Sequence, residues 1–171
     1  MHPLHPFKYC PKCGSKYFEE HNFKSKKCLD CDFVYYFNSS ASTAAFITDV
    51  SGRLLVARRA KEPAKGTFDL PGGFVDMYET VEEAMIREVK EETGMTLSGF
   101  KYLFSLPNIY EYSGFEVHTV DMFFTVQVEQ SGKDLHPADD VSELLFLEKE
   151  KINPADFGLA SIRKAIEIWL K

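Results

Sequence analysis

Three glutamates stand close together in the segment from Thr80 to Thr93, which is the clearest helix that the sequence predicts. Glu88, Glu91 and Glu92 are spaced i, i+3 and i+4, so at about 100° per residue they fall on one face of that helix. Neighbouring carboxylates repel each other by roughly a few tenths of a kcal/mol per pair, and a purely structural helix gains nothing from this arrangement. Oxygen-rich clusters of this kind bind hard divalent cations, so the helix predicts a magnesium or manganese site.

The segment before this helix can bring backbone oxygens to the same place. Pro71-Gly72-Gly73 allows a turn that other residues resist, and it places main-chain carbonyls beside the helix. Arg87 lies on the flank of the helix and Glu79 lies one residue before its cap, so an ion pair between them would hold the ligands in place. A loop carbonyl and helix carboxylates together predict a cation site. The alternative is a surface helix whose glutamates face water, as we expect of Glu82 and Glu83.

All four cysteines lie in the first fifth of the chain, at Cys10, Cys13, Cys28 and Cys31. They form two Cys-x2-Cys pairs separated by fourteen residues, and each pair turns two thiolates to one side of the chain. Four thiolates fill the tetrahedral shell of zinc and leave no open position, so the pattern predicts a structural zinc site. Redox or disulfide use is the alternative, although a disulfide within each pair would be strained and would organise little of the chain.

The overall charge argues against a general nucleic-acid binder without excluding nucleic acid as a partner, because the formal net charge is −6. Lys24, Lys26 and Lys27 form a short basic run, which we interpret as a solvated loop. Residues 1–6 are rich in histidine and proline with no apolar stretch behind them, so they do not resemble a secretory signal. Since no segment has the roughly 18 apolar residues that cross a bilayer, we predict a soluble, cytoplasmic protein that does not bind membranes.

The spacing of apolar residues predicts a domain of several strands and two helices. The predicted strands cover residues 43–50 and 53–58, which form a hairpin, and residues 100–106, 116–128 and 144–147. Thr80 and Glu83 form a capping box at the start of the first helix, and Gly94 follows as its C-terminal stop. The last helix, residues 159–170, is amphipathic. Its predicted core-facing residues are Ile162, Ala165, Ile166 and Trp169.

One stretch of 23 contiguous residues, from Gly73 to Met95, resembles the Nudix box at every defined position. The matching pattern is Gly73, five residues, Glu79, seven residues, and then Arg87-Glu-Val-Lys-Glu-Glu-Thr-Gly-Met95. Two further runs also look like the family, Leu54-Leu-Val-Ala-Arg58 and Leu70-Pro-Gly72. One position departs from the common pattern, because many members have glycine directly before the box glutamate and this chain has Tyr78.

The resemblance implies both a fold and an activity. The fold would be an α/β/α sandwich with a mixed sheet in residues 38–171, preceded by a small zinc ribbon in residues 1–37. The activity would be magnesium-dependent hydrolysis of a nucleoside diphosphate linked to another group, with Mg²⁺ or Mn²⁺ as the cofactor and Zn²⁺ as a structural ion. The protein would therefore be a Nudix pyrophosphohydrolase, an enzyme that cuts phosphoanhydride bonds.

The resemblance also implies roles for residues of the box. Glu88, Glu91 and Glu92 match the family's metal-ligand positions, and the carbonyl of Gly73 matches its backbone ligand. Members of the family differ in where the general base lies. The candidates here are Glu91 and, as in members that use a glutamate near a late strand, Glu143, for which a solvated loop carboxylate is the alternative interpretation.

The substrate stays open between three types. A zinc ribbon before a Nudix domain resembles the NADH pyrophosphatases, which carry a Ser-Gln-Pro-Trp-Pro-Phe-Pro motif after the box. This chain keeps only Ser105 and Pro107 of that motif, so NADH, ADP-ribose and dinucleoside polyphosphates all remain candidates. We predict that Arg58, in the family-like run, contacts the substrate. Tyr110 and Tyr112 lie where dinucleoside-polyphosphate hydrolases place a base-stacking tyrosine, with simple packing on a strand edge as the alternative.

Two other functions stay open as well. A nucleotide-sensing module, with the ribbon contacting a partner, would have no need for the complete set of box carboxylates. Processing of an RNA cap would need a basic surface, and the run from Lys24 to Lys27 offers one in an otherwise acidic chain. Similar ribbon-bearing members are often dimers, so a homodimer also stays open.

Overall fold

The computed structural model of the chain describes residues 1–129, 135–138 and 140–171, and for Tyr110 the backbone alone. The chain forms two compact units, Met1–Ser39 and Ser40–Lys171. Both α-helices belong to the second unit, whereas the first is built from short strands and turns. Within the described part of the chain, no helix has the length and apolar character needed to span a membrane.

The first unit contains a three-stranded antiparallel sheet together with the two cysteine pairs. Its strands are β1 (Phe18–Asn22), β2 (Ser25–Cys28) and β3 (Val34–Tyr36), hydrogen-bonded in that order. The small core of the unit contains Cys10, Phe18 and Cys28, with Cys31 and Phe33 packed against it. A unit of this size buries little apolar surface, so a cross-link between its segments adds a large share of its stability.

The second unit is built on a six-stranded sheet with the order β6-β5-β4-β8-β7, in which β9 also pairs with β5. Its strands are β4 (Ser40–Asp49), β5 (Leu54–Arg59), β6 (Phe68–Asp69), β7 (Lys101–Tyr112), β8 (Phe115–Val128) and β9 (Val141–Leu147). Its helices are α1 (Val81–Thr93) and α2 (Ala160–Trp169), with two 3₁₀ turns at Lys149–Lys151 and Pro154–Asp156. β4 and β8 run parallel and the other pairs run antiparallel, so the sheet is mixed, as predicted.

β4 contributes to a hydrophobic core on both of its faces. Ala44 and Phe46 belong to one apolar cluster, while Ala45 and Ile47 belong to another, because successive side chains of a strand point to opposite faces. Each cluster is covered by one helix. The helix residues in the clusters are Ile162, Ala165 and Ile166 of α2, and Met85 and Val89 of α1. The predicted α/β/α sandwich is therefore confirmed.

α1 begins and ends where the sequence predicts. The hydroxyl of Thr80 accepts the backbone N–H of Glu83 at 3.2 Å, and the Glu83 carboxylate accepts the backbone N–H of Thr80 at 2.8 Å. Gly94 ends the helix with a left-handed φ of 75°. These caps fix the register of the helix, and the register decides which side chains face the sheet.

β7 is longer than the sequence predicts. The prediction ended this strand at residue 106, whereas β7 continues to Tyr112 with Pro107 in its middle. In the described part of the chain β7 pairs with β8 alone, and an edge strand tolerates proline because one row of its backbone groups needs no partner. The extension brings Asn108 and Tyr112 into the sheet. The predicted hairpin is confirmed, with Thr48 paired to Leu54.

Asp49 closes that hairpin and carries a prediction about stability. Its side chain is buried and accepts the backbone N–H groups of Ser51 and Arg53, each at 2.9 Å, and the Arg53 Nε at 2.7 Å. Burial alone would raise the pKa of Asp49, but the hydrogen bonds from Arg53 and Ser51 outweigh it and hold the pKa below its usual value. We expect Asp49→Asn to lower the free energy of unfolding at pH 7 by about 2 kcal/mol.

The sign of the pH dependence follows from the lowered pKa. Stabilisation by the charged form is present above the unfolded-state pKa of about 4 and is lost as the pH falls through the folded-state value. Urea unfolding at pH 7 and at pH 3 checks this, because the difference between the wild type and Asp49→Asn should shrink at the lower pH. An equal difference at both values would contradict it.

Candidate functional site

Gly72 and Gly73 lie where the backbone between β6 and α1 passes close to β4. A side chain on Gly72, whose φ is 147°, would collide with the backbone of Thr43. A Cβ on Gly73 would lie 2.5–2.7 Å from the carboxylate atoms of Glu88. The backbone contact at Gly72 therefore requires glycine, whereas at Gly73 a side chain would displace the Glu88 carboxylate, which occupies the gap that Gly73 leaves.

Arg87 holds this loop against α1, as the sequence predicts. Its Nε and Nη2 donate to the two carboxylate oxygens of Glu79, each at 2.8 Å, and Nη2 also donates to the carbonyl of Phe74 at 3.0 Å. Its Nη1 donates to Glu88 at 2.8 Å and to Glu91 at 3.2 Å. The hydrogen bonds from Arg87 lower the pKa of Glu79 to about 2, and the same bonds raise the pKa of Arg87. One guanidinium thus orients three carboxylates.

Glu92 is the most buried carboxylate of the helix. Only 9% of it is exposed, and it accepts the backbone N–H of Gly72 at 2.9 Å. Burial raises its pKa well above the usual value, and the nearby carboxylates of Asp69, Glu88 and Asp140 raise it further. Four acidic groups therefore lie close enough together to repel one another when charged. A bound cation would offset their mutual repulsion.

A cavity of about 560 Å³ opens beside these groups, within the size range of small-molecule sites. Its acidic lining residues are Glu62, Asp69, Glu88, Glu92, Asp121 and Asp140. Arg59 lines the same cavity and pairs with Asp69 at 2.6 Å. Burial raises the pKa of Asp69, against the opposing effect of Arg59. The cavity thus combines carboxylates for a cation with a guanidinium that can meet a phosphate group.

The structure brings some of the predicted site residues into the cavity and leaves others outside it. Those that line it are Gly73, Glu88, Glu92 and Tyr112. Glu91 is half-exposed on the outer side of α1, where it contacts Arg87. Glu143 lies within β9 rather than in a loop, and it pairs with Arg58 at 2.8 Å outside the cavity lining. The side chain of Tyr110 lies outside the described part of the chain.

Sequence reasoning missed several polar residues of the lining, namely Arg59, Asp69, Asn108, Asp121 and Asp140. Arg59 directly follows Arg58 in β5, and strand alternation turns their side chains to opposite faces. The sequence shows that Arg58 and Arg59 point to opposite faces of β5, but it does not show which of these faces lines the cavity. Asn108, Asp121 and Asp140 come from separate strands or their ends, and no local pattern connects them.

The residues present suit a divalent cation such as magnesium. Glu88 and Glu92 supply charged oxygens beside Gly73. The Gly73 carbonyl accepts the backbone N–H of Thr43 at 2.8 Å and the Thr43 hydroxyl at 3.5 Å, and a cation would take the place of the longer of these two bonds. The carboxylates of α1 do not cluster as tightly as the cysteines. Among the described residues, the cysteine group alone brings at least three ligand atoms of His, Cys, Asp or Glu within 4.8 Å of one another.

The cysteine cluster has the dimensions of a tetrahedral metal site. The Sγ atoms of Cys10 and Cys31 lie 3.8 Å apart, and those of Cys13 and Cys28 lie 3.7 Å apart. Four sulfurs at about 2.3 Å from a central zinc would be separated by about 3.8 Å. A disulfide requires about 2.05 Å between sulfurs, so the observed geometry is that of four thiols around a common centre.

Comparisons with known proteins agree with this geometry. An ADP-ribose pyrophosphatase of Methanocaldococcus jannaschii is 34% identical over 125 residues, which cover 72% of this chain and 70% of that protein. The NAD-capped RNA hydrolase NudC of Vibrio atlanticus is 29% identical over 106 residues, 62% of this chain but only 39% of that protein. A crystal structure of a NUDIX hydrolase from Nitrosomonas europaea shares the fold, with a TM-score of 0.72, 20% identity and coverage of 96% of this chain and 90% of its own.

A mixed sheet between two helices, with an acidic helix over a glycine loop, defines the Nudix class of proteins. The model of the NUDIX domain family matches residues 39–167, and the chain therefore belongs to that family. The family assignment that residues 73–95 indicated is therefore confirmed. The predicted class of enzyme, a hydrolase of phosphoanhydride bonds, is confirmed as well.

Proposed function

We propose that this chain hydrolyses the diphosphate linkage of a nucleoside diphosphate joined to another group, and that it needs Mg²⁺ or Mn²⁺ to do so. One observation carries the proposal: Glu88 and Glu92 reach the same cavity from one turn of α1, beside the Gly73 backbone. Arg59 stands in the same lining, where it can bind a phosphate oxygen.

Each residue has a distinct part in this reaction. Glu88, Glu92 and the Gly73 carbonyl would hold the cation, with Glu91 as a further ligand or as the base. When bound there, Mg²⁺ or Mn²⁺ would supply a water of lowered pKa and neutralise charge on the phosphates. Arg87 and Glu79 orient the ligands without touching the substrate.

The general base has three candidates. They are Glu91, Glu143 and Asp140, and of the three Asp140 is the one in the cavity lining. Its position just before β9 is the neighbourhood in which a late-strand base was expected. The Glu143 carboxylate is paired with Arg58 at 2.8 Å, which turns it toward that partner.

ADP-ribose is the substrate that the comparisons favour, since the pyrophosphatase from Methanocaldococcus jannaschii covers the larger share of this chain. NADH and dinucleoside polyphosphates belong to the same class of compounds. NAD-capped RNA is a second candidate, because relatives named for that activity match residues of this domain. We also propose that Cys10, Cys13, Cys28 and Cys31 bind zinc as a structural ion, consistent with their sulfur separations.

A substrate panel with and without magnesium tests the proposal. The panel contains ADP-ribose, NADH, diadenosine tetraphosphate and NAD-capped RNA, and the products are identified by mass spectrometry. We expect AMP and ribose 5-phosphate from ADP-ribose, with turnover that disappears when the metal is chelated. No turnover of any member with Mg²⁺ or Mn²⁺ would contradict the proposed function.

Gly73→Ala tests the loop separately from the carboxylates. The backbone of Gly73 is not left-handed, so alanine brings no conformational strain, but its Cβ would lie 2.5 Å from the Glu88 side chain. We expect kcat to fall about 100-fold, because a displaced ligand misplaces the reacting groups, while the protein stays folded. Steady-state kinetics and thermal unfolding measure the two effects. A variant with normal kcat would show that Glu88 does not depend on this gap.

A further inference from the structure

Asn108 stands out among the lining residues because the Oδ1 atom of its buried side chain has no hydrogen-bond partner among the described residues. Only 6% of the residue is exposed. A buried polar atom left unpaired destabilises a protein, and most such atoms in native structures are paired. Asn108 also lines the cavity that contains Glu88 and Glu92. A group of this kind is a candidate for contact with a ligand.

Among the described residues, the partner of Asn108 across the sheet does not supply the missing donor. Thr119 is its partner across the β7–β8 pair, but the Thr119 hydroxyl donates to Asp121 at 2.5 Å. A hydroxyl has one hydrogen, so none remains for Asn108. Asp121 itself accepts two more hydroxyls, from Ser42 and from Ser161. The three hydroxyls around Asp121 therefore all donate to its carboxylate, and none of them donates to the Asn108 Oδ1.

The distance from Asn108 to the carboxylate end of the cavity suits a nucleoside. Asn108 is on β7, and Thr43, whose N–H binds the Gly73 carbonyl, is on β4. β8 lies between these two strands, which gives two strand spacings, about 10 Å across the sheet. Asn108 is level with Ser40 through Thr119, and Thr43 lies three residues further along β4, about 10 Å, so the total separation is about 14 Å. A nucleotide whose diphosphate lies at the carboxylates would place its base near β7. Tyr112 and Val117 line this part of the cavity and offer apolar contact to a flat ring.

We propose that Asn108 is a specificity-determining residue that accepts a hydrogen bond from the exocyclic amino group of the substrate's base. The preferred substrate is then an aminopurine nucleotide, such as an adenine nucleotide. This inference rests on the proposed function, because it assumes that the diphosphate is held at Glu88 and Glu92. With the Asn108 amide oriented as in the structure, a base with a carbonyl in place of the amino group would set two acceptors against each other. Such a mismatch inside a buried site is strongly disfavoured.

Binding of AMP and IMP to the full chain tests the inference directly. These nucleotides differ in the group at position 6 of the purine, which is an amine in AMP and a carbonyl in IMP. By isothermal titration calorimetry we expect AMP to bind about tenfold more tightly than IMP. Asn108→Leu should remove that difference by weakening AMP and leaving IMP unchanged. Asn38→Leu, at an exposed asparagine, serves as the control and should keep the preference.

Stability separates a binding role from a structural one. Leucine has the same branching and number of side-chain heavy atoms as asparagine and leaves no unpaired acceptor, so the melting temperature of Asn108→Leu should equal or exceed that of the wild type. In kinetics with ADP-ribose, the same variant should raise KM about tenfold with kcat unchanged, while the hypoxanthine analogue of ADP-ribose should show no change.

The outcomes are distinguishable from those of the proposed function. Equal binding of AMP and IMP by the wild type, tighter binding of IMP, or a preference that survives Asn108→Leu would each overturn the inference. If the chain hydrolyses none of the substrates but still prefers AMP through Asn108, the proposed reaction fails and the assignment of Asn108 stands. If it hydrolyses both analogues equally well, the reaction stands and the assignment fails.

Discussion

Replacing Glu92 with glutamine is expected to lower kcat by about three orders of magnitude while the domain stays folded. Glutamine keeps the shape of the side chain, and its amide oxygen can still accept the N–H of Gly72, which lies 2.9 Å from the carboxylate. The variant loses a negative charge at a position that is almost fully buried. A neutral amide binds a hard divalent cation far more weakly than a carboxylate does, so the cation would no longer be held against the diphosphate.

The same substitution should not destabilise the protein when magnesium is absent. Charged Glu92 is repelled by Asp69, Glu88 and Asp140, as its raised pKa shows, and burial adds to that cost. Glutamine removes the repulsion, so the urea midpoint of Glu92→Gln in magnesium-free buffer at pH 7 is expected to equal or exceed that of the wild type. A loss of activity that is accompanied by a lower midpoint would indicate misfolding instead of a lost ligand.

Glu82→Gln provides the matched control, because Glu82 lies on an exposed face of the same helix. We expect it to keep the wild-type kcat with ADP-ribose and magnesium. Titration of Mg²⁺ in the same assay should show a higher requirement for the metal in Glu92→Gln than in Glu82→Gln. Turnover close to the wild type in Glu92→Gln would remove Glu92 from the set of ligands.

The parts of the site that lie on one continuous segment could be predicted from the sequence. α1 is specified locally by Thr80 and Glu83 at its start and by Gly94 at its end, so its register follows without any tertiary contact. Once the register is known, the i, i+4 spacing of Glu88 and Glu92 places both on the side that faces the cavity. Local rules sufficed for these two glutamates, whereas Glu91, which the same spacing assigned to their face, lies half-exposed against Arg87 outside the cavity lining.

The parts that depend on how strands pair could not be predicted in this way. Arg58 and Arg59 differ by one position, and a shift of one residue in a strand exchanges the two faces of the sheet. The structure turns Arg59 to the cavity and pairs Arg58 with Glu143. Asn108 likewise reaches the cavity because β7 continues past Pro107, which an edge strand tolerates. The order and register in which the strands pair determine whether Arg59 and Asn108 face the cavity, and no local sequence spacing does so.

Tyr78 has a left-handed backbone at the position before the box glutamate, where many family members have glycine. Its φ of 69° lies in the left-handed region that glycine favours. The side chain is fully exposed and meets no obstacle. The left-handed backbone of Tyr78 therefore costs about 1 kcal/mol in strain.

Cys28→Ser is expected to unfold the first unit of the chain, residues Met1–Ser39. Cys28 is fully buried and lies in the core of that unit with Phe18 and Cys10. Its sulfur is 3.7 Å from that of Cys13, so serine would remove one of the four thiolates around the common centre. Structural zinc sites contribute roughly 10 kcal/mol or more to folding, which exceeds what so small a core can supply.

Hydrogen exchange with mass spectrometry measures the effect on residues 8–35, together with the zinc content of the protein. We expect the wild type to bind one zinc per chain and to lose amide protection in this segment when a strong chelator is added. Cys28→Ser should lose both without a chelator. Ser25→Ala is the matched control on the same strand, because the Ser25 hydroxyl has no partner among the described residues and its removal costs little.

The comparison between chelation and substitution decides which kind of cross-link holds the unit. A metal site yields to a chelator, since the thiolates are shared with an ion that can be withdrawn, whereas disulfides do not respond to one. Protection that persists in the chelator with no zinc bound would mean that Phe18, Phe33 and the strand pairs suffice by themselves. Because four thiolates leave the ion no open position, the expected loss concerns the fold of this unit and adds no chemistry to it.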